Sequence, residues 1–457
     1  MPEQAAKPAT LKDFYARDTA TPLADAFESK RAVHPFVGMR PVPQDEVPAL
    51  WSGLHAAPRK NRAVAYVHVP FCENHCLFCG FYQNAWRGSE GAPYVDAVIA
   101  QLEAFARTPA RDGPPLQAVY LGGGTPTALA AGDIARLITA LRSNLPLAPD
   151  CEITLEGRVH SFGLEKARAA FDAGATRVSL GVQSFENAIR RPLGRKAERR
   201  EVIRCLERLV ALDCGAIVVD LIYGLPKQTP DHVASDVALC AEIGLDGFDL
   251  YALNLIPGTP LLTAIDKGKM LPAARADLGD FFTAGEEAAQ RAGWRQISTT
   301  HWQGSLRERN VYNLAVKTGA DCLAFGAGAG GFVNGVNYRI LSDLAAYAEN
   351  AGTEACLTMG MMRPSSRAPL HNAIKSGMER GRFDPDLLEA GARKLTAGRV
   401  EVMPHLAPLL AQWVRTGLMT RQHRFYPLTR AGRFWQVAMT ARLIGWLDQH
   451  PDLEDMI

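Results

Sequence analysis

The sequence predicts an α/β fold in which a parallel sheet is wrapped by crossover helices. Two observations carry this prediction. Six short apolar runs recur between residues 63 and 253, and an amphipathic stretch of helical length separates each from the next. The runs are apolar along their length rather than alternating, as expected of strands covered on both faces, and such strands pair in parallel through helices. No internal repeat at a period of roughly 20–50 residues competes with this rhythm.

Taken in order, residues 1–60 read as an N-terminal arm, extended and partly helical, punctuated by Pro35, Pro41, Pro43, Pro48 and Pro58. The strand-like runs are AVAYVHV (63–69), QAVYL (117–121), CEITLE (151–156), TRVSLGV (176–182), GAIVVDL (215–221) and DGFDLYAL (246–253). Between them lie YVDAVIAQLEAFA (94–106), DIARLITALRS (133–143), LEKARAAFDAG (164–174), REVIRCLERLVAL (200–212) and HVASDVALCAEIG (232–244). Apolar residues three and four apart give each of these one buried face. A further helix is expected over 276–293, then an irregular Gly-, Asn- and His-bearing region over 294–340. The division expected is an arm (1–60), a β/α unit with an extension (61–340) and a mainly helical unit (341–457). Chemistry in parallel sheets gathers at the carboxyl ends of the strands, so the residues just after each run matter most.

Composition excludes several classes. Of 457 residues, 47% are apolar and 21% charged, with a formal net charge of +2. That balance offers no bulk attraction for nucleic acid or a membrane surface. The opening MPEQAAKPATLKDFYARDTA lacks the apolar core of a secretory signal, and no run of about 18 apolar residues occurs. A cytoplasmic location is expected. Nine cysteines in a chain this long do not form a disulfide scaffold. Six are scattered (Cys151, Cys205, Cys214, Cys240, Cys322 and Cys356) and read as small buried hydrophobes.

The other three need a different account. Cys72, Cys76 and Cys79 form C-x3-C-x2-C directly after the first strand-like run, in YVHVPFCENHCLFCGFYQN (66–84). Thiolates this close can converge on one metal centre. Three ligands on a cubane leave one iron open to bind and activate something. Zinc held by three cysteines and His68 or His75 is an alternative, although no second ligand pair at zinc spacing follows. A redox pair of Cys76 and Cys79 leaves Cys72 unexplained, and haem attachment through C-x-x-C-H fails at Gly80.

Other strand ends carry supporting residues. LGGGTPTAL (121–129) offers Gly123, Gly124 and Thr125, where missing side chains let a ligand approach backbone N–H groups. Glu156, Gln183 and Asp220 stand at the ends of successive strands, with Arg195 in the segment after one of them. Each alone would more often be structural; together they resemble the polar groups a barrel-type site collects. FGAGAGG (325–331) satisfies G-x-G-x-x-G literally, but FVNGVNYR follows with no helix signal, so a dinucleotide site is rejected. His301, in ISTTHWQG, is either a satisfied loop histidine or a contact to a tetrapyrrole substrate.

These motifs resemble radical SAM enzymes, which cleave S-adenosylmethionine (SAM) with a [4Fe–4S] cluster. Tyr66-Val-His68-Val-Pro70-Phe-Cys72 is similar to the branch containing oxygen-independent coproporphyrinogen III dehydrogenase. The resemblance implies a partial (β/α)6 radical SAM barrel with a winged-helix-like C-terminal domain, the latter from GLM (417–419) and LTRAGRFW (428–435). A DNA-reading role for that domain is disfavoured by the near-neutral charge. The resemblance also implies Cys72, Cys76 and Cys79 as cluster ligands and two bound SAM molecules. Tyr66, Gly123 and Glu156 match positions touching the first, with Gly330 in a loop closing over it. Phe78, Gly124, Thr125, Gln183, Arg195, Asp220 and Ala252 match those touching the second.

The dehydrogenase carries a fourth cysteine soon after the cluster, and Gly80-Phe81-Tyr82-Gln83-Asn84 has none. DAFESKRAVHPF (25–36), CGFYQN (79–84) and TLEGRVHSF (154–162) are instead similar to the haem-degrading radical SAM methyltransferases, the anaerobilin synthases. That resemblance implies haem as substrate and a flavodoxin-type electron donor. It also implies a 5′-deoxyadenosyl radical that takes hydrogen from the methyl of the second SAM, after which carbon transfer and ring opening release iron. Alternatives are the decarboxylating dehydrogenase, a haem chaperone on the same scaffold and a winged-helix regulator.

Overall fold

The structure is a computed structural model, and it describes residues 10–30 and 39–449. Pro35 and much of DAFESKRAVHPF (25–36) lie outside the described residues. The six apolar runs form β1 (Ala63–Val69), β2 (Leu116–Gly123), β3 (Leu147–Gly157), β4 (Arg177–Gln183), β5 (Ala216–Tyr223) and β6 (Gly247–Ala252). Neighbours in this series pair in parallel. Five crossover helices join them: α1 (Gly91–Ala106), α2 (Ala131–Asn144), α3 (Leu164–Ala173), α4 (Arg199–Val210) and α5 (Pro230–Ile243). Local sequence sets their ends. At α5, Thr229 accepts a hydrogen bond from the His232 amide, Pro230 takes the first position, and Gly244 closes the helix in the left-handed region. Along α4, Val202, Leu206 and Leu209 are buried while the intervening positions are largely charged.

After α6 (Leu278–Arg291) the structure departs from the expected irregular region. Residues 294–340 contain β7 (His301–Gln303), β8 (Asp321–Phe325), β9 (Gly330–Val333) and β10 (Val336–Ile340). The segment DCLAF pairs in parallel with β1, extending the parallel series on its other side. β9 and β10 form a hairpin about Asn334 and Gly335, both with positive φ. Asn-Gly between short apolar runs is the strongest local hairpin signal, and it explains why these residues are ordered strands rather than loop. Among the described residues, thirteen strands form one sheet; it continues beyond residue 340 to β11 (Thr358–Arg363) and the Arg40–Pro41 bridge.

The polar residues of the parallel strands share one face in tiers. Tyr66, Tyr120, Thr154 and Arg177 lie opposite one another across β1 to β4. Two residues further along, His68 lies opposite Gly122, and Glu156 opposite Ser179. A third tier holds Gly181, Asp220, Asp249 and His301 across β4 to β7. Alternate residues such as Val67, Leu121 and Leu180 turn the other way into the main core.

The C-terminal helices are α7 (Ala368–Glu379), α8 (Pro385–Leu395), α9 (Met403–Arg415) and α10 (Arg430–Asp448), with a small antiparallel bridge of Arg382–Phe383 and Tyr426–Pro427. The N-terminal segment binds them to the sheet: Phe27 meets Trp413 and Trp435 edge-on at 6.4 and 5.6 Å. On α6, Glu286 is 1% exposed and receives both Arg430 and Arg433 of α10. Glu286→Ala leaves two guanidinium groups facing an empty site. Because both arginines are partly exposed, a cost of about 2 kcal/mol is expected, read as a lower melting temperature and early hydrogen exchange in α10.

Candidate active site

The three cysteines sit on a loop that the chain closes on itself. Phe71–Cys72 pairs in parallel with Asn84–Ala85, and the Trp86 amide donates to the Cys72 carbonyl at 2.9 Å. Inside the loop, the Cys79 amide donates to the Cys76 carbonyl at 3.0 Å. Outside it, Leu77 is bonded on both sides: its amide donates to Leu193 and its carbonyl accepts from the Leu261 amide. Asn74 donates to the Gly194 carbonyl at 2.9 Å and its own carbonyl accepts from Arg158 at 3.1 Å.

Cys72 and Cys76 are buried and Cys79 is half-buried. Donors surround the sulfurs. Thr125 Oγ1 and Arg158 Nη2 each lie 3.4 Å from Cys72 Sγ, Arg195 Nη1 lies 3.5 Å from Cys76 Sγ, and the Phe81 amide lies 3.4 Å from Cys79 Sγ. Burial pushes the Cys72 thiol up, Thr125 and Arg158 pull it down, and Cys79 and Cys76 push it up again. Such a donor set suits anionic sulfur ligands. Among the described residues, no three His, Cys, Asp or Glu side chains converge closely enough for a single metal ion. Of the two histidines weighed for zinc, His68 keeps Nε2 buried with no hydrogen-bond partner. His68 Nδ1 is 2.9 Å from the Tyr66 hydroxyl; His75 stacks on Tyr82 at 4.5 Å with Nε2 3.0 Å from the Cys79 carbonyl oxygen.

The glycine turn after β2 packs against this strand end. Gly123 has φ +111°, and a methyl group there would stand 2.5 Å from His68 Nδ1. At Gly124 it would stand 2.5 Å from the Phe71 carbonyl oxygen. The Gly124 amide donates to the Val69 carbonyl at 2.8 Å. At these two positions the close approach is made by the chain that leads to Cys72.

Around the turn stand the expected polar residues. Burial pushes the Glu156 carboxyl up to about 8, with Asp220 adding to it, while the Gly123 amide, Arg158 and Arg177 pull down. Gln183 occupies the left-handed region with φ 66°, at a bulge in β4, and its Oε1 is buried with no hydrogen-bond donor. Arg195 is buried, donates to the Gly181 carbonyl, and is shifted down by burial. Burial and then Asp249 push Asp220 up to about 7, against Arg177, His301 and Arg195. Tyr66 stacks with Tyr120 and Tyr312 at 6.5 and 6.2 Å. Phe78 packs with Leu193, Leu225 and Leu261, and Ala252 ends β6 half-buried. Gly330 stands apart: it is exposed on β9, two strands from Tyr66.

His301 lies within a line of buried charge. Its ring is fully buried, with Nδ1 2.8 Å from Asp249 and Nε2 3.0 Å from Glu308. Each nitrogen stands within ion-pair distance of a carboxylate. Burial opposes protonation, but Asp249 and Glu308 outweigh it and raise the imidazole to about 9. Glu308 in turn pairs with Arg177 at 2.8 Å; burial would raise its carboxyl, but Arg177 and His301 bring it down to about 2. Arg158, Arg177, Asp249 and Glu308 were not singled out from sequence. Arg177 and Asp249 carried a signal, each being a charge within an otherwise apolar strand run.

Gly124→Ala should displace the Phe71 carbonyl and with it Cys72. A loss of about 1–3 kcal/mol is expected, with fewer iron and sulfide equivalents retained after anaerobic reconstitution. Gly132→Ala, in open space on α2, serves as the control and should match the parent in both.

Comparison with known proteins extends this picture. The Radical SAM superfamily profile matches residues 66–240, a span holding the three cysteines and the strand ends from Tyr66 to Asp220. Anaerobilin synthase of Escherichia coli O157:H7 is 43% identical over 413 residues, 90% of this chain and 90% of that protein. Heme chaperone HemW of Lactococcus lactis subsp. lactis (strain IL1403) is 29% identical over 290 residues, 64% of this chain and 75% of that protein. Among solved structures, coproporphyrinogen III oxidase (HemN) from Escherichia coli superposes with a TM-score of 0.72 at 21% identity, covering 91% of this chain and 97% of that one. This last likeness is one of fold. Among the described residues, no helix is long and apolar enough to cross a membrane.

Proposed function

The chain belongs to the radical SAM superfamily, in the branch that includes anaerobilin synthase, and from that membership we propose that it opens the haem macrocycle without oxygen, methylating the porphyrin and releasing iron. One observation carries this reading: 43% identity to anaerobilin synthase is sustained over 90% of both chains, so it spans the barrel and the C-terminal helices alike.

Cys72, Cys76 and Cys79 would hold the [4Fe–4S] cluster. When bound and reduced, it supplies the electron that breaks a carbon–sulfur bond of SAM. Tyr66, Gly123 and Glu156 would line the first SAM, with Gly330 at the start of β9 closing over it from further along the sheet. Phe78, Gly124, Thr125, Gln183, Arg195, Asp220 and Ala252 would line the second. The residues have the chemistry for this. Gln183 keeps an acceptor free in a buried place, Asp220 is an acid close to its titration midpoint at neutral pH, and Arg195 is a buried cation. Thr125, Arg158 and Arg195 donate toward the cysteine sulfurs and so stabilise negative charge there. The helices from Ala368 to Asp448 would cover haem and keep water and oxygen out. Haem is the substrate in this reading, a flavodoxin-type protein the electron donor, and the cytoplasm the location, where nine unpaired cysteines persist.

Two measurements test it. Replacing any one of Cys72, Cys76 and Cys79 by alanine should abolish SAM cleavage and lower bound iron, whereas Cys214→Ala, at an exposed thiol, should change neither. Incubated anaerobically with haem, SAM and a low-potential reductant, the protein should consume haem and yield a ring-opened, methylated tetrapyrrole. Stable haem binding with no SAM consumed would overturn the reading in favour of a chaperone.

A further inference from the structure

A line of alternating charge crosses the sheet beneath the site. It runs from Arg177 on β4 to Glu308, then His301 on β7, then Asp249 on β6, with contacts of 2.8, 3.0 and 2.8 Å. All four side chains are at most 2% exposed. Register carries the line one strand further, since Asp220 of β5 lies directly opposite Asp249. Two aspartates facing each other, Asp249 buried and Asp220 half-buried, resist ionising together unless a cation compensates one of them. His301 is the cation in direct contact with Asp249, through Asp249 Oδ2; Asp249 Oδ1 has no donor.

We propose that His301 is a positioning residue which, by neutralising Asp249, lets Asp220 ionise toward a cationic ligand group. This rests on the reading that Asp220 faces the second SAM, whose sulfonium and ammonium are the cations such a carboxylate would hold. The groups facing Asp220 account for the balance. From β6 Asp249 raises its carboxyl pKa, while Arg177 of β4, His301 of β7 and Arg195 lower it. Glu156 of β3 and the tyrosines Tyr120 and Tyr251 also sense the Asp220 charge. Arg177 and Arg195 lower Asp220 from a distance, but His301 alone of the three touches Asp249, so its removal leaves the aspartate pair unbalanced.

The sign follows from this arrangement. Without His301, Asp220 ionises only at higher pH, so binding that needs its charge is lost at neutral pH and regained as pH rises. Without the Asp249 charge, Asp220 ionises at lower pH, and binding persists further into acid.

The test is SAM titration of the cluster-loaded protein by anaerobic calorimetry between pH 6 and 9, with iron and sulfide content as the control on loading. His301→Gln should weaken one of two SAM equivalents about fivefold at pH 7, corresponding to a rise of about one pKa unit at Asp220, and recover toward pH 9. The double variant His301→Gln with Asp249→Asn should return close to parental affinity at pH 7. Asp249→Asn alone, which does not depend on His301→Gln folding, should extend binding of that equivalent to lower pH. A folded, loaded His301→Gln protein with parental affinity and pH profile overturns the inference, as does an Asp249→Asn profile that does not move. If the parent protein takes up no cluster or binds no SAM, the underlying reading fails instead, and the inference with it.

Discussion

Two strand ends in this protein must come closer than side chains allow. β1 delivers the chain through Val69 and Pro70 to Cys72, and β2 ends in Gly122-Gly123-Gly124 alongside it. Methyl groups at the last two would meet His68 and the Phe71 carbonyl at 2.5 Å. That contact fixes where Cys72 emerges, and the rest of the site is referenced to it. Thr125 follows the turn and reaches the Cys72 sulfur, the Gly123 amide steadies Glu156, and the closed loop from Phe71 to Ala85 carries Cys76 and Cys79 into line. The glycines thus belong to the scaffold before they belong to any ligand.

Behind the site, the sheet tolerates an unusual density of buried charge. Isolated, any one of Arg177, Asp249, His301 or Glu308 would be costly to bury. In line they neutralise one another pair by pair, so each charge is retained at low exposure. The tyrosine stack of Tyr66, Tyr120 and Tyr312 fills the neighbouring space, with centroids no more than 6.5 Å apart. The result is a rigid polar wall on one face of the sheet and an apolar core on the other, from the same strands.

How much of this could be read from the chain follows from its physics. The six strands and five helices were legible because each announces itself locally, through continuous apolar runs and spaced apolar faces. β8 was not, because DCLAF is short, sits among glycines, and pairs with residues more than 250 positions earlier; only the tertiary contact makes it a strand. The β9–β10 hairpin is legible in Asn334-Gly335, a turn pair between two short apolar runs. The cysteines and strand-end polar residues were legible because motif and position coincide. The role of His301 was not, since both partners lie elsewhere in the chain: Asp249 on another strand and Glu308 in the segment after its own.

The cysteine loop is unevenly shielded: Cys72 and Cys76 are buried, while Cys79 is half-buried and neighboured by Phe81, 69% exposed. Oxidants reach sulfur according to its accessibility. Of the three thiols, Cys79 is therefore the one that an oxidant in solvent reaches first, ahead of the buried pair.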